Sequence, residues 1–194
     1  MSRALSAQSL SEADRRLVAE WAATCAEHVL PLFEAEAPGD DRPRDAIARA
    51  RAFSRGELDA AGEIRRRFVA GRAAHAASSV GAVSAARAAA QAAGVAHMGA
   101  HALGAAAYAA RAAGAAAEDR SAALAAELLW QRGRLSDGVA AALRGLPPVG
   151  TDGSGPLGQG LLASGELGAI IRDIQEALDV RPGVALRPSA PGVG

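Results

Sequence analysis

Two histidines, His97 and His101, stand four residues apart in VAHMGAHALGAAAYAA, a run otherwise almost all alanine and glycine. Imidazole titrates near neutral pH, so such residues can move a proton, grip an anion or ligate a metal. The chain holds two further histidines, His28 and His75. If all four lie on helices that pack together, they can meet in a bundle interior, where bundle sites are commonly built. His28, His75, His97 and His101 are therefore candidate acid–base residues, with Glu27 and Asp41 as candidate carboxylate partners. For any one of them the plainer alternative is a hydrogen-bonded histidine of the core.

DDRPR, residues 40–44, is the second concentration of chemistry. Guanidinium groups hold carboxylates and phosphates bidentately, and a helix start adds partial positive charge. Arg42 and Arg44 are candidate ligand-binding residues, together with Asp40, Glu34 and Tyr108. Tyr108 falls on the same three- and four-residue spacing as His97 and His101. The competing reading of DDRPR is a surface helix cap with local ion pairs.

Other chemistries lack their residues. His-x-x-x-His suits two zinc ligands, but no Glu follows the first histidine and a third ligand would have to be His28, His75, Glu27 or a remote Asp, so the site is read as metal-free. No cofactor motif is present. GTDGSGPLGQG lacks the Lys-Ser/Thr of a phosphate-binding loop. There is no G-x-S-x-G elbow, and Cys25, three residues before His28, sits on a mostly apolar face where a structural role is expected. Without a lysine, Schiff-base chemistry is closed.

The composition sets the frame for these residues. The 194 residues carry 21 basic and 21 acidic side chains, every basic one an arginine. A neutral chain without a basic stripe is a poor nucleic-acid ligand. Half the chain is hydrophobic but only 3% is aromatic, so alanine must do much of the burying. Small side chains allow close helix–helix approach in return. One cysteine allows no internal disulfide, which suits a reducing cytoplasm. The first residues hold no apolar signal segment, and the least polar window, 88–106, is weakly apolar alanine interrupted by Gln91 and two histidines; no membrane span is expected.

The elements that must position the candidates read as helices. The first begins at the Ser11 cap and carries Leu17, Trp21, Cys25, His28 and Leu32 on one face; Pro31 is expected to kink or end it. The second opens at DDRPR, with Pro43 in its first turn and Gly56 as its stop. A third spans about 57–79, with Ile64, Phe68 and His75 on one face. A fourth runs unbroken from the Gly81 break to about residue 113, with Gln91, Gly94, His97, His101, Gly104 and Tyr108 along one stripe. A fifth covers about 118–145, with Gly133 able to split it. The expected fold is all-α, a single-domain bundle of about five core helices over residues 1–144. A Gly/Pro-rich linker (145–165), a short amphipathic helix (166–180) and a disordered tail (181–194) follow. The seam Leu167, Ile170, Ile171, Ile174 and Leu178 would suit packing on the body, on a second copy or on another subunit.

In order, CAEHVLPLFE, DDRPRDAIARARAFSRGE, AAHAAS, AHMGAHALGAAAYAARAA and ELLWQRGRL resemble the Imm-5-like family of bacterial immunity proteins, over about residues 14–143. The resemblance implies a helical cytoplasmic protein that binds and neutralises a protein toxin or a small toxic, anionic ligand. It maps the family-like polar positions onto Glu27, His28, Glu34, Asp40, Asp41, Arg42, Arg44, His75, His97 and His101. Histidines among alanines look more like a pocket than an outer face. That keeps a second expectation open, a cofactor-free lyase or cyclase acting on an anionic small molecule through a His/Asp/Arg pocket. A third is a structural partner that stabilises another subunit through its alanine-rich face.

Overall fold

The computed structural model describes residues 6–179, apart from the side chains of residues 64–68 and 70. It is all-α. The helices are α1 (Glu12–Glu36), α2 (Arg42–Ser54), α3 (Ala60–Ala73), α4 (Val80–Gly94), α5 (His101–Ala116), α6 (Arg120–Arg132), α7 (Asp137–Arg144) and α8 (Gly165–Asp179). Short 3-10 turns at Ala74–Ala76 and Leu161–Ala163 precede α4 and α8. The expected tail at 181–194 and the Ile64–Phe68 face of the third helix lie outside the described residues.

Helix α5 is the axis of the bundle. Residues 102–110 are all buried, including Leu103 and Tyr108. A helix apolar on every side has to be surrounded, and α1, α4, α6 and α8 surround it. The alanine-rich run is thus core because its side chains are small: four neighbours can approach one rod. The larger anchors come from other helices, among them Trp21 and Phe33 of α1, Phe53 of α2, Leu143 of α7 and Ile171 of α8.

Local signals place most helix starts. Ser11, Asp59, Ser79, Asp119 and Ser136 each accept a hydrogen bond from a first-turn N–H. Asp41 does not; it occupies the N-cap position of α2 without a capping bond, and its neighbour Asp40 accepts from the Arg42 N–H at 3.2 Å instead. Pro31 does not end α1, which continues to Glu36. Gly133 does divide the expected fifth helix, into α6 and α7.

The main departure from the sequence reading is at residues 95–100. The unbroken fourth helix is two helices joined by a turn, and His97 lies in that turn. The break is a tertiary product. The N–H groups of Gly99 and Ala100 donate to the carbonyls of Ser9 (3.1 Å) and Gln8 (3.0 Å), so the N-terminal segment takes over donors at the start of α5. Leu10 sits against Gly99 so closely that a Cβ there would lie 2.5 Å from Leu10 Cδ1.

The same segment organises the glycine-rich stretch before α8. Gln8 is buried; its amide donates to Asp152 (2.6 Å) and the Ser154 carbonyl (2.8 Å) and accepts from the Leu157 N–H (2.9 Å). Leu157 is fully buried. Residues 145–164 are therefore folded onto the body despite a linker-like composition. The seam of α8 (Leu167, Ile170, Ile171, Ile174 and Leu178) is buried too, with α8 packed on α5 and α7.

Candidate functional site

The candidate residues separate into three places. The first is a cleft of about 330 Å3 among α3, α4 and α5. It is lined by Arg87, Gln91, Gly94, His97, His101 and Tyr108, with Gly71 and Ala90. Five of these are the stripe read from the sequence, brought to one cavity although the helix carrying them is broken. His101 opens α5, half-buried, and its Nδ1 lies 2.8 Å from Gln91 Oε1. The amide oxygen can only accept, so the imidazole carries its proton on Nδ1 and, when neutral, its lone pair on Nε2.

Two helical glycines set this geometry. A Cβ on Gly94 would lie 2.8 Å from His101 Cγ, and one on Gly104 would lie 2.4 Å from Gln91 Oε1. Alanine at either position would displace the ring or the amide. His97 is exposed at the rim, as is Arg87, one helical turn before Gln91. Tyr108 is buried and forms the deep wall.

The second place lies between α1 and α6. Glu127 is buried, and its carboxylate is bonded to His28 Nδ1 at 2.7 Å and to the Gln131 amide at 2.9 Å. The same amide also donates to the Ala106 carbonyl of α5 at 3.1 Å. His28 stacks on Trp130, with ring centroids 3.7 Å apart and planes 4° from parallel. Arg134 Cζ lies 3.5 Å from the Trp130 ring centroid. Two groups that close to one centroid cannot share a face, so the indole is sandwiched between them. Cys25 is fully buried beneath; burial first, and the Glu127 charge second, push its thiol well up. A thiol held protonated is a poor nucleophile, in keeping with the structural role expected of it.

The third place is the α1–α2 surface, and its charges cancel in pairs. Arg42 forks onto Asp40, which the guanidinium holds below the usual carboxylate range. Arg44 pairs with Glu34, and Arg51 with Glu27 at 2.6 Å. Glu27 and Arg44 do share a shallow groove of about 320 Å3 with Arg51 and Arg55. Asp41 is exposed.

The single His/Asp/Arg pocket is therefore corrected. Only His97, His101 and Tyr108 of its expected members line the α4–α5 cleft. His28 is committed to Glu127 on another face, and His75 is exposed on the 3-10 turn before α4. The DDRPR residues are not among those lining the cleft. A larger cleft, about 430 Å3 between α7 and α8, contains none of the candidate residues. Among the described residues, no three His, Cys, Asp or Glu side chains converge as a metal ion would require.

Sequence reasoning missed Arg87, Glu127, Trp130 and Gln131. Arg87 was within reach, one turn before Gln91 on the same stripe. Glu127 was not, because its partner His28 lies 99 residues away.

No described helix is long and apolar enough to cross a membrane. Comparison with curated proteins and with solved structures finds no match in either. The family model described as Imm-5 like putative immunity protein matches residues 8–138. The match begins at Gln8, which ties the start of α5 to the 152–157 loop, and runs through the cleft and the α1–α6 cluster. The chain belongs to the Imm-5-like family of putative immunity proteins.

Proposed function

We propose that this protein binds a partner protein toxin and blocks it, using the outward face of α6. Family membership carries the reading. The α6 face supports its placement: Leu129, 70% exposed, stands beside an ordered indole and an arginine. Next to it stand Trp130, half-buried and fixed between His28 and Arg134, and the exposed Arg132. Tryptophan and arginine dominate interface energetics, and an indole already ordered loses little freedom on binding.

The test is co-expression with the proteins encoded beside its gene, with host growth and co-purification as readouts. The expected result is restored growth and a stable complex with one of them. Leu129→Asp should weaken that complex at least about tenfold while the fold is retained. If none of these proteins is toxic, or the chain relieves no toxicity, the reading fails.

One observation favours a second reading, the cofactor-free lyase or cyclase acting on an anionic small molecule. The cleft joins two imidazoles and a tyrosine, groups able to move protons. Turnover lost in His101→Gln, with folding kept, would support it.

A further inference from the structure

We infer that the cleft between α4 and α5 is a binding site for a small organic oxyanion, a carboxylate or phosphate ester of about ten non-hydrogen atoms. The inference does not rest on the toxin reading, and it holds whether or not the bound molecule reacts.

Size comes first. The cleft, open to the surface, measures about 330 Å3, and a water's share of liquid volume is about 30 Å3, so on the order of ten heavy atoms fit. That exceeds a single inorganic ion and falls at the small end of ligand sites.

Charge gives the sign. The described residues lining the cleft include Arg87, His97 and His101 and no carboxylate. Among the described residues, the lining carries one guanidinium and two imidazoles, with no acidic group beside them in the cleft. An oxyanion head group complements that lining, with the guanidinium gripping two oxygens.

The cavity is also built to hold its polar groups still. Gln91 accepts from His101 Nδ1–H at 2.8 Å. Gly94 and Gly104 leave the space that the ring and the amide occupy. Glycine inside a helix is destabilising relative to alanine, and both glycines fall where a Cβ would break this one pairing. Below the rim, Tyr108 and Ala90 give the ligand's carbon skeleton an apolar wall. An oriented imidazole, a guanidinium at the mouth and an apolar wall beneath together recognise an anionic head on a short carbon chain.

The test follows the histidine Cε1–Hε1 resonances of the full chain by NMR. The probes are citrate, glycerol 3-phosphate and inorganic phosphate; glycerol and ionic-strength-matched sodium chloride are controls. Saturable shifts of His97 and His101 with citrate or glycerol 3-phosphate, with His28 and His75 unmoved, are expected. Citrate alone would mark a carboxylate site, glycerol 3-phosphate alone a phosphate-ester site. Arg87→Ala, at an exposed position that leaves the core untouched, should weaken the response about tenfold. The inference is overturned if neither organic anion moves His97 and His101, or if sodium chloride moves them equally. Inorganic phosphate binding as tightly as both organic probes, or an unchanged affinity in Arg87→Ala, would overturn it as well.

Discussion

The α1–α6 cluster and the α4–α5 cleft use the same interaction for opposite ends. In each, a histidine Nδ1 meets a side-chain oxygen, at 2.7 Å from Glu127 in one and 2.8 Å from Gln91 in the other. At His28 the partner is a buried carboxylate, the ring is stacked on an indole, and the cysteine beneath is sealed. At His101 the partner is a neutral amide and the ring lines an open cavity. The first histidine satisfies a buried charge; the second is itself held in place. Similar bond lengths thus conceal different energetics, because removing a partner from a buried charge costs far more than removing one from a half-exposed amide.

The largest expected effect breaks the first bond. His28→Ala leaves Glu127 buried with only Gln131 to satisfy it and also removes the ring from Trp130. It should cost about 2–3 kcal/mol in urea unfolding. His101→Ala should cost about 1 kcal/mol or less by the same measurement. Equal losses would mean that the two histidines do the same work.

Next is Gly104→Ala. Its Cβ would sit 2.4 Å from Gln91 Oε1 and 2.9 Å from Leu162 Cδ1 in a fully packed helix. A loss of about 1–2 kcal/mol is expected, because overpacking outweighs the gain in helix propensity. The His101 resonance should shift while that of His28 stays. A stabilised variant with an unmoved His101 would show that this glycine does not position the pair.

A smaller effect concerns how the cleft's first wall is anchored. Glu36, at the end of α1, accepts from the N–H groups of Ser78 (2.8 Å) and Ser79 (3.2 Å) just before α4. Those bonds, led by the one from Ser78, lower its carboxyl to about 2 from an ordinary 4.5. A carboxyl depressed by folding stabilises the fold above its ordinary pKa and loses that contribution as pH falls through the lowered one. Glu36→Gln should therefore lower the thermal midpoint at pH 7, less so from about pH 4.5 downward, and hardly at all near pH 2. A deficit that persists unchanged at pH 2 would contradict this anchoring.

The smallest expected effect is none. In the native protein Cys25 should not react with a soluble disulfide reagent, since it is fully buried with its thiol held protonated. Rapid labelling without unfolding would show that the α1–α6 side opens, erasing the contrast with the cleft.

How far the cleft could be read from the chain depends on how local each relation is. Gln91, Gly94, His97, His101 and Tyr108 appeared as one stripe because three- and four-residue spacing is a short-range property. They still share one cavity after the helix breaks, because the turn at 95–100 returns His97 and His101 to the same side. The expected joining of His28, His75 and DDRPR to that cavity failed for a different reason. Apolar-face spacing says which way a side chain points from its own helix, not which neighbour it meets. DDRPR satisfied its own charges within two to ten residues, Arg42 with Asp40 and Arg44 with Glu34.

Capping residues, apolar periodicity and ordered motifs are all written locally, and they carried the all-α class, most helix starts, the apolar seam of α8 and the family. Tertiary structure alone decided where α4 ends and α5 begins, because the N–H groups that terminate the break are bonded by carbonyls about ninety residues earlier in the chain. It also decided that a glycine-rich stretch with the composition of a linker is packed, because Gln8 supplies the hydrogen bonds and the core supplies the room for Leu157. Long-range pairing of this kind leaves no periodic trace, and the division of four similar histidines into a partner for a buried carboxylate, the lining of an open cleft and an exposed turn followed from it.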